Sequence, residues 1–102
     1  MGGRLDLKKP ATTGSGGSPA KVVSTATGAL VAGVAKTVLF DGGATFANGD
    51  YILQVQDANL VVLIDTLEKG DAVGTAGSEK TSFTIMVLTD LPSGLTIVAV
   101  GS

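Results

Sequence analysis

From residue 22 onward the chain is cut into short runs of β-branched and other apolar residues, interrupted by Gly, Pro, Asn or Asp about every eight to twelve positions. Ordinary helices need longer unbroken stretches, so this punctuation predicts an all-β fold, a small antiparallel β-sandwich of jelly-roll-like kind. Residues 22–27 are rich in Val and Thr and stop at Gly28. Residues 29–40 carry Val31, Val34, Val38 and Leu39 ahead of Asp41-Gly42-Gly43. The Ala-rich stretch 29–35 has a helical alternative, but Gly28 and Gly33 each weaken a helix by about 1 kcal/mol, and a strand is expected.

Asn48-Gly49 is a turn signal, and the strand after it, 51–56, sets Tyr51, Leu53 and Val55 on one face and Gln54 and Gln56 on the other. Asp57-Ala58-Asn59 then turns the chain into Leu60-Val61-Val62-Leu63-Ile64. Both faces of that run are apolar, which predicts a strand covered on two sides, with a partner subunit supplying the second cover. Residues 68–82, rich in Gly, Ala and Ser, read as a surface loop. A strand over 83–88 follows, with Phe83, Ile85 and Val87 on its inner face, then a turn through Asp90-Leu91-Pro92-Ser93-Gly94 and a final strand over 95–100.

The leading segment differs. Residues 1–20 contain Gly2, Gly3, Gly14, Gly16 and Gly17, with Leu5 and Leu7 as apolar anchors. Such a sequence builds no core of its own, so residues 1–21 are expected to form an extended N-terminal arm on a sandwich domain of residues 22–102. Charge divides the same way. Arg4, Lys8, Lys9 and Lys21 against Asp6 give the arm +3, while the body carries −5. A basic arm on an acidic body is drawn to acidic protein surfaces, a neighbouring copy included.

With no Cys and no His, the chain lacks disulfides, thiolates, the commonest metal ligand and the commonest general base. Asp41, Asp50, Asp57, Asp65, Asp71 and Asp90 fall at turns or strand ends, where Asp bonds neighbouring backbone. No glycine cluster has the order that cradles phosphate, and Phe40, Phe46, Tyr51 and Phe83 are not interleaved with cations as nucleic-acid binding needs. No catalytic residue, cofactor or metal is therefore expected, nor a nucleic-acid or membrane partner. No apolar run approaches the roughly 20 residues of a membrane span. The start alternates charge and glycine unlike a secretory signal, and synthesis in the cytoplasm is expected.

One spacing stands out: Phe46-Ala47-Asn48-Gly49-Asp50-Tyr51-Ile52-Leu53-Gln54-Val55, then Lys80-Thr81-Ser82-Phe83-Thr84-Ile85, then a terminal strand ending at Gly101. Over residues 38–101 this resembles the small β-sandwich of tail-fibre tips and related structural proteins of tailed bacteriophages. Where many such tips carry a Trp in the final strand, this one has Leu95, Ile97 and Val98. The resemblance thus implies the scaffold and its trimeric habit more than receptor binding. Together with the arm it resembles a capsid decoration or cement protein, a homotrimer on the outer surface of the virion that docks on the major capsid protein. A fibre or baseplate tip that binds a host-surface glycan is the alternative.

On that reading Arg4, Leu5, Leu7, Lys8 and Lys9 form the capsid-docking part of the arm, the two leucines on one side of an extended chain. Leu60, Val62 and Ile64 are the expected trimer contact.

Overall fold

The computed structural model describes residues 21–101. Six strands form in chain order: β1 Lys21–Ala26, β2 Lys36–Leu39, β3 Ile52–Val55, β4 Ile64–Lys69, β5 Ser82–Val87 and β6 Thr96–Gly101. They make two three-stranded sheets, β1-β6-β3 and β2-β5-β4, with every pairing antiparallel. The all-β sandwich expected from the sequence is formed. Only the β4–β5 connection stays within one sheet, so the chain keeps passing between layers and both layers contribute to one core.

The central strands β5 and β6 carry the most buried side chains because each is flanked on both edges. Phe83, Ile85 and Val87 from β5 meet Ile97 and Ala99 from β6, all at most 1% exposed. As the alternation predicts, Tyr51 is buried and Leu53 and Val55 face the core, while Ile52 and Gln54 point out. At one end of the sandwich Phe40 meets Phe46 and Tyr51 edge to face, at 5.1 and 5.5 Å between ring centres, and Phe46 stacks on Tyr51 at 4.5 Å.

Turns are held by the chemistry their residues supply. Asn48 accepts the Asp50 amide at 2.8 Å, Asp57 the Asn59 amide at 3.0 Å and Asp90 the Ala32 amide at 2.9 Å. Gly94, at φ +67°, lies directly beneath Gly28, so close that a Cβ would fall 2.0 Å from the Gly28 carbonyl oxygen. That approach lets Thr27 and Leu95 exchange bonds, Thr27 N to Leu95 O at 2.8 Å and Leu95 N to the Thr27 hydroxyl at 2.9 Å.

Four expectations are corrected. Leu60 to Leu63 is not strand: Ala58–Leu63 is a 3-10 helix capped by Asp57, and β4 begins only at Ile64. The reason lies in the partner, since β5 ends at Val87 and a single bond from Leu88 N to Leu63 O closes the ladder there. Hydrophobicity alone supplies no hydrogen-bond partner. Leu60 and Ile64 accordingly turn inward and pack on the core, and Val62, 72% exposed, points out, so the doubly covered strand behind the Leu60, Val62 and Ile64 trimer contact does not exist. Residues 29–40 are likewise not one strand. Leu30 makes an isolated bridge with Leu91, a turn follows with Gly33 at φ +75°, and only Lys36–Leu39 is extended. The loop expected over 68–82 starts at Gly70, because β4 continues through Glu68 and Lys69 against Thr84 and Phe83.

Lys21, assigned to the arm by its charge, is the first residue of β1 and pairs with Gly101. The docking residues Arg4, Leu5, Leu7, Lys8 and Lys9 lie outside the described residues.

Candidate interaction surfaces

The two outer sheet faces are built differently. On β1-β6-β3 strand alternation turns Val22, Ser24, Ala26, Thr96, Val98, Val100, Ile52 and Gln54 outward, and none of these eight carries a charge. Val22 and Ile52 both stand opposite Val100, so the register aligns three apolar side chains across the sheet, with Val22 62% and Ile52 55% exposed. Ser24 and Gln54 flank Val98 in the next row.

On β2-β5-β4 the chain covers the central strand of the outer face itself, while Leu39 on β2 stays 70% exposed. The Thr84 hydroxyl donates to the Gly70 carbonyl at 2.7 Å, the Ala72 amide to the Thr37 hydroxyl at 3.2 Å, and the Ser82 hydroxyl to the Ser78 carbonyl at 3.0 Å. The 70–81 loop thereby lies over β5, and Ser82 and Thr84 are buried despite facing outward.

A second surface lies at the end where the 27–35, 56–63 and 88–95 loops meet. Gly33 N bonds Val87 O at 2.9 Å and Leu88 N bonds Leu63 O at 2.8 Å, which brings the exposed side chains of Val31, Val34, Val61, Val62 and Leu88 to the same end. Beside them is a cleft of about 240 Å³ whose lining includes Gln56, Asp57, Leu60, Ser93, Leu95 and Thr96.

The opposite end holds the aromatic cluster with a lysine over each outer ring. Lys21 sits 5.3 Å from the Phe46 ring centre and donates to the Thr45 carbonyl. Lys69 sits 4.9 Å from the Tyr51 centre and donates to the Gly49 carbonyl. The Tyr51 hydroxyl donates to Glu79 O at 2.5 Å, and burial, reinforced by the Glu79 carboxylate, raises its pKa to about 12. This hydroxyl keeps its proton near neutrality and acts as a hydrogen-bond donor within the fold.

Between the edges of β3 and β4 runs an open groove of about 440 Å³, lined by Tyr51, Ile52, Leu53, Leu67, Glu68 and Lys69.

Three of the acidic side chains, Asp57, Asp71 and Asp90, accept backbone amides. Asp71 is the clearest, its pKa lowered first by the Thr75 hydroxyl and then by the Thr75 amide, which donates at 2.8 Å. Among the described residues no three carboxylates converge as a metal site would need, and no helix is long and apolar enough to cross a membrane. Compared with protein families, curated proteins and solved structures, the chain matches none.

Of the expected contact residues, Val62 alone points fully outward, with Leu60 and Ile64 beneath it. Sequence reasoning missed the uncharged face of Val22, Ile52, Val98 and Val100. Its signal was present in the charge-free alternate positions of β1, β3 and β6, but only the register aligns them into one surface.

Proposed function

We propose that this protein is a structural component of a virus particle, a capsid decoration or cement protein that forms a homotrimer and stabilises the shell by docking on the major capsid protein. The observation that carries this reading is the uncharged outer face of β1-β6-β3, which no described loop covers, opposite a sheet whose central strand the chain covers with its own loop. Uncharged faces of this kind desolvate cheaply against protein, whereas the remaining surface of an acidic body does not. Three strands of up to six residues span about 300 Å², well below the roughly 800 Å² per partner of a stable pairwise complex. One face is thus a weak contact. Three faces on one trimer act together, as in multivalent binding. Val62, with Val61 and Leu88 at the same end, supplies the outward apolar side chains of the trimer contact.

The test combines mass with particle binding. Light scattering should give about three times 10.1 kDa, and the protein should co-sediment with shells of its virion. Val22→Glu should abolish co-sedimentation while the native fold persists, and Val62→Asp should yield monomers. A strict monomer that ignores shells sinks the reading.

The cleft with Gln56, Asp57 and Ser93 above Leu60 favours a second reading, a fibre or baseplate tip that binds a host-surface glycan. A glycan array separates the two, because a cement protein gives no saccharide signal.

A further inference from the structure

The two long sides of the sandwich differ. Where β1 faces β2 the seam is closed: the Asp41 amide donates to the Thr25 hydroxyl at 2.9 Å, and Thr25, Val38 and Phe40 are buried. Where β3 faces β4 it is open. Leu53 on β3 and Leu67 on β4 pack toward the core, yet each stays only half-buried and lines the groove. Among the described residues β3 pairs only with β6 and β4 only with β5, so each has one backbone edge with no described strand against it on this side. An apolar slot flanked by two such edges is the geometry that accepts an added strand.

We propose that this groove takes residues 4–9 of a neighbouring copy as that strand. The inference rests on the assembly reading above and names what the arm grips. Leu5 and Leu7 are the only apolar side chains in residues 2–9, and their spacing puts both on one side of an extended chain, with Arg4, Asp6 and Lys8 on the other. Two leucines facing inward would cover Leu53 and Leu67. Charge agrees: residues 4–9 carry three cations against Asp6, and the groove presents Glu68, with Asp50 next to Tyr51 and Asp65 two positions before Leu67. Lys69, the one cation of the rim, has its ammonium drawn to the Gly49 carbonyl and the Tyr51 ring. The chain joins the body at Lys21 on β1, the edge strand farthest from β3 in its sheet. Residues 10–20 can span at most about 40 Å, long enough for the leucines to reach the groove of an adjacent copy.

The chain has no cysteine, so introduced thiols report contacts without background. Full-length Leu7→Cys protein is mixed with full-length Leu67→Cys protein, oxidised gently, and the heterodimer quantified by mass spectrometry. The control partner is Val73→Cys, 86% exposed on the 70–81 loop and away from the groove. Docking predicts at least about tenfold more heterodimer with Leu67→Cys than with the control, since the groove raises the local thiol concentration. Leu53→Cys serves as an independent second groove position. Equal yields at groove and control positions overturn the proposal. Light scattering and shell co-sedimentation of the wild type are read in parallel. A trimer that binds shells but gives equal cross-link yields removes the groove contact and leaves the assembly reading intact, whereas a monomer that binds no shell removes both.

Discussion

The Tyr51 hydroxyl donates a 2.5 Å hydrogen bond to the main-chain carbonyl of Glu79, tying the residue that leads into β3 to the loop that precedes β5. The ring is 1% exposed, stacked on Phe46, and lies under the Lys69 ammonium. Tyr51→Phe keeps the ring and deletes the bond. It should lower the unfolding free energy by about 1 kcal/mol, whereas Tyr51→Ala should cost about 3 to 5 kcal/mol through the cavity it leaves. Urea titration of the three proteins checks this, and an unchanged Phe variant would mean that water serves the Glu79 carbonyl equally well.

The same hydroxyl sets an alkaline limit. Its pKa rises from 10.0 to about 12 on folding, so the folded state holds the phenolic proton more tightly than the unfolded chain does. Stability from this group is complete below pH 10 and falls as pH climbs toward 12, at a slope approaching about 1.4 kcal/mol per pH unit. Tyr51 is the sole tyrosine and there is no tryptophan, so ultraviolet absorbance of the phenolate reads it alone. A midpoint near 10 in the folded protein would mean that the ring is open to water.

Gly94→Ala should be among the most damaging single methyl additions. Its Cβ would fall 2.0 Å from the Gly28 carbonyl oxygen and 2.6 Å from the Thr27 hydroxyl, at a positive φ. Backbone cannot yield as a flexible side chain does, and a loss of about 3 kcal/mol or more is expected. Gly74→Ala, at φ +76° with nothing within 4 Å, isolates the conformational part and should cost about 1 kcal/mol. Thermal unfolding of the pair distinguishes them; similar losses would contradict the close approach.

Thr84→Val preserves shape and removes the hydroxyl that closes the loop over β5. The buried Gly70 residue then loses the donor to its carbonyl, at a cost of about 1 to 3 kcal/mol. Amides of the 70–81 loop should exchange with solvent markedly faster than in the wild type, while β6 amides keep their protection relative to global unfolding. Unchanged loop exchange would show that Ser82 and Ala72 hold the loop without Thr84.

Strand content and inner faces were legible where polar and apolar residues alternate. Tyr51, Leu53 and Val55, and again Phe83, Ile85 and Val87, face the core as their spacing predicts. Turn chemistry was legible too at Asn48 and Asp57, which accept amides two residues on, whereas Asp90 reaches the Ala32 amide 58 positions away, a contact no local pattern announces. The 60–64 run was misread because it has no alternation, and a run apolar throughout suits a short helix as well as a covered strand. Ala58–Leu63 became helix when β5 ended before it.

By itself, then, the amino-acid order determined the fold class, the turns at 48–50, 57–59 and 90–94 and which side chains of each alternating strand go in, since these depend on contacts a few residues apart. Tertiary structure alone decided the sheet order, the closed seam at Thr25 and the open one at Leu53 and Leu67, and the union of Val22, Val100 and Ile52 into one row. Those features join residues distant along the chain, and no local pattern of hydrophobicity or charge encodes which strand edge will meet which.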